Sequence, residues 1–330
     1  MSHLKGLAIM LLSASLILGG CSILSFSEEE QDFELVDGKN GAKEIKILEK
    51  EEERLKKVGE AYREENYLPV QEYIGEGFTL APDYGTDAIA ESHKDEVEKA
   101  VEKFFKDNYK TDIKVHNIVG TTDAASVFVE SIGEPHFYTL AIIPVDVKNE
   151  TVETERVWSL EGEIEQAIIT GLLAMIYDEE FAVLNDYLKK LANENLVAGK
   201  RIEALANVGA NKHATPYYRL NSSIEPFQDL LDAYFENPNR ALEGWKTLAE
   251  VLSYNPDEIS IAIDLFMPEK DVDPSDELIN RIASDIRAMN GLPHAEYVIY
   301  LHDNFVDKTS GRGDKDNSLD WDNPEIIISE

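Results

Sequence analysis

The spacing of apolar residues changes partway along this chain, and this change constrains the fold more than any other feature. Three short segments before residue 144 have the patterns of strands, and the first two alternate apolar and polar side chains. The third, Phe137–Ile143, is apolar on both faces and is predicted to be a central strand. A helix precedes the strands, because apolar residues recur there at helical spacing. Its apolar residues are Val97, Ala100, Val101 and Phe104.

From Leu160 onward the apolar residues recur every three to four positions, which predicts helices. Alternation returns over Ile259–Met267 and again over Ala295–His302, with a helical pattern between them. A strand, a helix and a strand joined by short links predict a right-handed β-α-β unit. We therefore predict an α+β fold. Its N-terminal half is a helix plus an antiparallel strand meander, and its helix-rich C-terminal half ends in the β-α-β unit.

The extreme N-terminus has the pattern of an export signal. One basic residue, Lys5, precedes the uncharged stretch Gly6–Gly20, which is too short for a membrane-spanning helix. The stretch ends in Leu18-Gly19-Gly20-Cys21, which resembles the lipobox of bacterial lipoproteins. The resemblance implies cleavage of a signal peptide over 1–20 and a diacylglycerol on the sulfur of Cys21. It predicts a lipid-anchored protein on the extracytoplasmic face of the cell membrane.

The composition limits the partners of the chain. The formal net charge is -34 at pH 7 over 330 residues. This acidity argues against nucleic acid, which needs clustered basic residues, and against electrostatic adhesion to anionic lipid. The acyl chains would therefore provide the attachment to the membrane. Cys21 is the single cysteine, so the exported chain must be stable without disulfides, which suits a Gram-positive envelope.

Composition shifts predict the organisation of the chain. After the signal peptide we expect an acidic tether over 21–43 and a charged helix over 44–66. An α+β lobe is predicted over 67–150 and a helical lobe with the β-α-β unit over 151–306. Residues 307–330 are predicted to be a polar acidic tail.

Several segments spread over the chain form a recognisable set. They are Val70-Gln71-Glu72-Tyr73 with Gly75-Glu76-Gly77, Phe128 to Asp146, Glu161-Gly162 with Glu165 to Ile168, Thr215-Pro216-Tyr217-Tyr218, Leu265-Phe266-Met267, and Asn317-Ser318 through Ile328. Read in this order, they resemble an uncharacterised family of Gram-positive lipoproteins, domain of unknown function 1672. The resemblance implies a lipid-anchored surface protein, and it transfers no reaction and no catalytic residue.

Calcium is the one cofactor for which the sequence offers a candidate site. Six oxygen-bearing residues occupy positions 1, 3, 5, 7, 9 and 12 of an EF-hand-like loop. They are Asp314, Asp316, Ser318, Asp320, Asp322 and Glu325. The glycine required at position 6 is replaced by Leu319, so the alternative is an acidic tail without a metal.

A polar, aromatic loop over Asn211–Arg219 is the candidate ligand site. It gathers two cations and two phenols in an otherwise acidic chain, as binding loops do, although structural loops have the same composition. Its candidate ligand-binding residues are Lys212, His213, Tyr217, Tyr218 and Arg219.

The histidines give weaker signals. His116 and His302 lie on predicted strands, where a hydrogen-bonded structural role is the more common one. Glu130 and Glu134 near His136 could form an acid/base group, but carboxylates are abundant in this chain.

No catalytic motif occurs, which favours a non-enzymatic envelope protein that binds a protein or wall-associated ligand. The alternative is a lipoprotein that binds a small ligand or cation through the Asn211–Arg219 loop, and this alternative predicts a pocket beside that loop. The third hypothesis is a hydrolytic enzyme without a recognisable motif, which a buried histidine–carboxylate pair in a cleft would favour.

Overall fold

The computed structural model describes residues 33–37, 43–47, 49–80, 82–210, 212–252 and 254–329. The predicted signal peptide and Cys21 lie outside the described residues. The chain divides into two compact units, Met1–Asn66 and Tyr67–Glu330. No helix in the described ranges is long and apolar enough to cross a membrane.

The first unit contains an antiparallel hairpin of β1 (Phe33–Asp37) and β2 (Lys43–Ile47), followed by helix α1 (Glu49–Asn66). We predicted that the charged helix begins at Glu44, but the helix begins five residues later. Ile45 and Ile47 alternate with charged residues, and β2 finds its partner in a segment that the prediction assigned to the tether.

The second unit contains the predicted helix and strand meander, preceded by a short strand and a further helix that the sequence did not predict. The elements are β3 (Tyr67–Pro69), α2 (Thr86–Ser92), α3 (Lys94–Tyr109), β4 (Ile113–Gly120), β5 (Ala124–Ser131), β6 (Tyr138–Asp146) and β7 (Thr151–Val152). The sheet has the order β4-β5-β6-β7, and its strands are all antiparallel, as predicted for the meander. Val97, Val101 and Phe105 are fully buried, whereas Phe104 packs at the edge of the core.

The C-terminal part combines helices with a second sheet. The elements are α4 (Glu163–Ile176), α5 (Asp178–Asn193), α6 (Ile202–Val208), β8 (Tyr218–Ser222), α7 (Gln228–Glu236), α8 (Leu242–Ala249), β9 (Ile259–Phe266), α9 (Asp276–Ala288), β10 (Ala295–His302), β11 (Phe305–Asp307) and β12 (Leu319–Ile328). The second sheet has the order β12-β10-β9-β8. Its two central strands, β9 and β10, are parallel and connected through α9, so the predicted β-α-β unit is confirmed.

The prediction of a polar acidic tail over 307–330 is wrong. Strand β12 pairs antiparallel with β10, and Ile326 on β12 is 1% exposed. A register shift interrupts this pairing between Tyr297 and Ile299. The acidic residues of β12 interrupt the alternation of apolar and polar side chains, so the sequence does not indicate a strand. The strand forms because β10 supplies the partners for its backbone hydrogen bonds.

Helix α4 joins the two sheets. It packs against β6 of the first sheet and β8 of the second. One continuous apolar core extends through both sheets, so the two lobes predicted with a boundary near residue 150 share a single core. Gly171 permits the close approach of the helix to the loop before β6, because a Cβ there would lie 3.0 Å from the carbonyl oxygen of His136.

A small antiparallel sheet of β3 and β11 ties the start of this unit to its end. The amide of Thr79 donates to the carbonyl of Thr309 at 3.1 Å, which continues the association beyond the strands. Residues 70–80 and 308–314 are therefore held side by side, and both segments line the cavity described next.

Candidate functional site

A cavity of about 690 Å³ lies beside the carboxyl end of β9. Its size is within the range of small-molecule sites. We call it the Asp264 cavity, after the carboxylate on its wall. Its walls come from the segment after β3, the inner strands of the first sheet, α6, the second sheet and the segment before β12. The lining residues that concern its chemistry are Tyr73, Phe78, Leu80, Phe128, Leu140, Lys200, Arg219, Asp264, Tyr300, His302, Arg312 and Asp314.

The register of the second sheet places the polar residues of this cavity on one face. Ile263 and Leu265 are fully buried in the core, so the alternation of β9 turns Asp264 to the opposite face. Tyr300 of β10 pairs directly with Asp264, and His302 follows two positions later on the same face. Polar side chains from separate parts of the chain therefore converge.

Asp264 has three basic side chains around it. Lys200 Nζ donates to Asp264 Oδ2 at 2.8 Å, and Arg219 Nη1 lies 3.5 Å from the same oxygen. His302 Nε2 lies 3.0 Å from Oδ1, off the direction of a well-formed hydrogen bond. The side chains of Asp264 and His302 are 13% and 5% exposed, so this group is largely shielded from water.

The electrostatics of the group favour an ionised carboxylate with positive charge in excess. Burial alone would raise the pKa of Asp264, but the charge of Lys200 and the contact with His302 outweigh it and hold the pKa well below its usual range. Lys200 and Arg219 carry two positive charges against the one negative charge of Asp264. The cluster is thus locally cationic within a chain whose formal charge is -34.

Ser318 holds the imidazole of His302 from the other side. Its Oγ lies 2.8 Å from His302 Nδ1 and accepts a hydrogen bond from the backbone amide of Lys315 at 2.9 Å. The serine hydrogen is then available to Nδ1, which leaves Nε2–H facing Asp264. Ser318 does not line the cavity, so this chain of contacts orients the ring of His302. Ser310 does line the cavity, but its amide donates to the carbonyl of Asp307 and the serine belongs to no contact with His302 in the described structure.

The segment before β12 is fixed by a buried ion pair. Lys315 Nζ lies 2.8 Å from Asp303 Oδ1, and the two side chains are 5% and 8% exposed. The same ammonium donates to the carbonyls of Phe305 and Gly313. A Cβ at Gly313 would clash with the ring of Phe266, so only glycine fits against this wall. The cavity wall is therefore rigidly attached to the second sheet.

The structure gives the predicted ligand loop a mostly structural role. Arg219 lines the Asp264 cavity. Lys212 pairs its backbone with Tyr138, with both hydrogen bonds at 2.8 Å. Tyr218 is 2% exposed and its ring stacks on Phe181.

The other two candidate residues of the loop, His213 and Tyr217, pack against the rest of the protein. His213 Nδ1 lies 3.0 Å from the carbonyl oxygen of His136, and burial lowers the pKa of His213 to about 4, so the ring is neutral. Tyr217 packs at the edge of the core, close to Gly199. Asn211 lies outside the described residues.

Lys200, Asp264 and His302 are the functional candidates that sequence reasoning missed or set aside. The alternation of β9 already placed Asp264 opposite its isoleucines. Charged residues on the second face of a strand are common, however, and the sequence does not reveal that Lys200 and His302 meet this one.

The EF-hand-like geometry predicted for the C-terminal acidic residues is not formed. Asp314, Asp316 and Ser318 lie in the segment before β12, whereas Asp320, Asp322 and Glu325 lie along the extended strand itself. Across the described residues, no group of three or more His, Asp or Glu side chains is arranged to hold a metal ion. Calcium binding stays a prediction without the loop on which it rested.

A second polar cluster forms around Glu130. His116 Nε2 and His136 Nε2 lie 2.7 and 2.8 Å from its two carboxylate oxygens. His116 sits at the irregularity between Val115 and Asn117 where the register of β4 shifts. The predicted proximity of Glu130 to His136 is confirmed. None of these residues lines the Asp264 cavity.

A larger cavity of about 780 Å³ lies between α4, α8 and the end of the second sheet. Its charged residues include Glu179, Glu180, Glu250 and Lys246, and Lys246 pairs with Asp178. These carboxylates are exposed or half-buried. The Asp264 cavity is the better candidate site, because it alone of the two has a shielded charge cluster with convergent donors.

The comparisons with known proteins identify the family. A sequence model of the family described as "Protein of unknown function (DUF1672)" matches residues 37–329. The chain is similar to a crystal structure of a DUF1672 family protein from Staphylococcus aureus subsp. aureus Mu50, with a TM-score of 0.63 and 18% identity, covering 80% of this chain and 99% of that chain. At this identity the likeness shows the fold alone. No curated protein matches the chain. Because the family model spans most of its length, the chain belongs to the DUF1672 family of proteins of unknown function.

Proposed function

We propose that this protein is a lipid-anchored lipoprotein of the cell envelope that binds a small anionic molecule in the Asp264 cavity. The observation that carries the proposal is the convergence of Lys200, Arg219 and His302 on one shielded carboxylate in a cavity of about 690 Å³. Cavities of this size with a few convergent polar groups are the usual form of small-molecule sites.

The cavity changes the order of the functional hypotheses. The lack of a catalytic motif in the sequence favoured a module that binds a protein or wall-associated ligand, with a small-ligand protein as the alternative. That alternative predicted a pocket beside the Asn211–Arg219 loop, and Arg219 contributes to such a pocket. A concave site with shielded charges suits a small molecule better than a protein surface, where charged residues are depleted from the interface core.

An enzyme is the second candidate, and the pair of His302 and Asp264 favours it. A buried histidine–carboxylate pair in a cleft is a common acid/base arrangement. The hydroxyl that contacts His302, that of Ser318, does not line the cavity, so the one serine paired with this histidine is not placed to attack a ligand there. The geometry therefore supports binding better than covalent catalysis.

Thermal unfolding of the mature protein with a panel of phosphates, carboxylates, amines and divalent cations tests the proposal. An anion present at a hundred times its Kd adds about 2.7 kcal/mol to the free energy of unfolding. We expect at least one anion to raise the Tm by several degrees, and amines to have no effect.

The variant Arg219→Gln should reduce that shift, because it removes one cavity charge. Arg156→Gln is the matched control, since Arg156 is 70% exposed and pairs with Glu153 away from the cavity. Equal responses of the two variants, or a panel in which no anion stabilises the protein, would refute binding at this site.

The lipid anchor rests on the sequence around Cys21 alone. Mass spectrometry of the protein extracted from membranes should find an N-terminal cysteine carrying a diacylglycerol. The variant Cys21→Ser should lose the modification and remain unprocessed. A mature form that begins at another residue would contradict the lipid anchor, whereas ligand binding in the Asp264 cavity does not depend on the anchor.

A further inference from the structure

The Asp264 cavity has walls of two kinds. The cationic group of Lys200 and Arg219 lies beside Asp264, and another part of the lining is apolar. The apolar part comes from the segment after β3, from the first sheet and from α6. Its side chains are Phe78, Leu80, Phe128, Leu140, Leu205 and Val208.

We propose that the ligand of this cavity is an amphiphile with one carboxylate or phosphate group and an apolar body. This inference rests on the proposed function and specifies the class of ligand. The anionic group lies against Arg219 and Lys200, and the apolar body lies against the wall around Leu80 and Leu140.

Arg219 is the residue best placed to contact the anionic group. Its Nη1 is 3.5 Å from Asp264 Oδ2, which is longer than a strong charge-assisted hydrogen bond, and its side chain is 36% exposed. A guanidinium has five N–H donors, so it can contact Asp264 and still present two parallel donors to a ligand. Lys200, held at 2.8 Å by Asp264, adds a fixed positive charge nearby.

The apolar wall has a defined shape. Phe78 and Phe128 meet edge to face, with their ring centroids 5.6 Å apart. Phe78, Leu80 and Leu140 remain only half-buried in the protein alone. An apolar ligand body would cover this surface, and each methylene group that it buries strengthens binding about fourfold.

Isothermal titration calorimetry with matched probes tests both parts of the inference. The probes are octanoate, octyl phosphate, acetate, inorganic phosphate and octylammonium, each below the concentration at which it forms micelles. We expect octanoate or octyl phosphate to bind at least tenfold more tightly than acetate or inorganic phosphate, because two buried methylenes already give that factor. Octylammonium should not bind, since its charge has the sign of Lys200 and Arg219.

Two pairs of variants separate the head group from the body. Arg219→Gln should weaken the octyl anions at least fivefold, and Arg156→Gln should leave them unchanged. Leu80→Asn should weaken the octyl anions but not the short ones. Leu160→Asn is its control, because Leu160 is 54% exposed and does not line the cavity.

The outcomes distinguish this inference from the proposed function. If acetate or inorganic phosphate binds as tightly as its octyl counterpart, and Arg219→Gln weakens that binding, the cavity binds anions but the amphiphile is wrong. If octylammonium binds as tightly as octanoate, the assignment of an anionic head group fails. If none of the anions binds, the inference and the proposed function fail together.

Discussion

Replacing Asp264 by asparagine tests the central cluster most directly. The substitution preserves the shape of the side chain and removes its charge, so Lys200 and His302 lose their shared anionic partner. Breaking a buried ion pair by removing one partner costs about 3–5 kcal/mol. The side chains of Asp264 and Lys200 are 13% and 19% exposed, so solvent screens part of the loss. We therefore expect a decrease of about 3 kcal/mol in the free energy of unfolding.

Urea denaturation at pH 7 measures this quantity, and an unchanged slope would show that the change is in stability alone. A loss of about 3 kcal/mol corresponds to a fall of roughly 5 °C in Tm for a domain of this size. Asp112→Asn is the matched control. Asp112 pairs with Lys106 at 2.7 Å, but the two side chains are 64% and 58% exposed, so solvent already screens that pair.

The pH dependence supplies a second, independent test. The pKa of Asp264 is lowered in the folded protein, so its contribution to stability is complete above the pKa of an unfolded aspartate, about 3.9. The contribution is lost as the pH falls below that value toward the folded pKa. The difference in stability between the wild type and Asp264→Asn should thus be constant near neutrality and shrink in acid. If Asp264→Asn is no less stable than Asp112→Asn at pH 7, the cluster is not the stabilising element that we describe.

Three further predictions concern other parts of the molecule. Burial opposes ionisation of Glu130, but the hydrogen bonds from His136 and His116 outweigh it and lower the pKa of Glu130. The wild type should therefore lose stability as the pH falls below about 4.3, and Glu130→Gln should lose less. Denaturation curves measured across acid pH give the free energy of unfolding for both proteins. Burial lowers the pKa of His213 to about 4, so the stability that depends on its neutral ring should fall as the pH decreases from about 6.5 to 4. NMR titration should find the ring neutral at pH 6. Gly171→Val should cost about 1–3 kcal/mol in chemical denaturation, because a Cβ there would already lie 3.0 Å from a carbonyl oxygen. Gly59→Val is the control for an added side chain, since a Cβ at Gly59 would meet no described atom within 4 Å beyond the backbone of its own helix.

Local patterns predicted most elements of the second unit. The alternation over Ile259–Met267 and the helical stripe from Leu160 correspond to β9 and α4. These patterns are readable because one face of each element packs against a continuous core, and burial dictates the residue type at a fixed period. The same patterns did not predict β12, because its acidic residues give it the composition of a solvent-exposed tail.

The candidate site was much less predictable. The loop that combined cations and phenols supplied only Arg219 to the cavity, because its other candidate residues pack against the protein or pair through their backbone. Asp264 and His302 belong to different strands and meet through the parallel register of β9 and β10. Lys200 comes from a third segment, whose backbone pairs Ala198 with Phe266.

The sequence by itself determined the α+β class, the principal helices and strands, the strong negative charge and the expectation of an N-terminal lipid anchor. These properties depend on residue type and on spacing within one element, which the sequence states directly. Only the tertiary structure decided that the C-terminal residues form a strand and that a cationic cluster lines a cavity in an acidic protein. Both depend on pairings between residues far apart in the chain, and the geometry of such pairings exists only once the common core has formed.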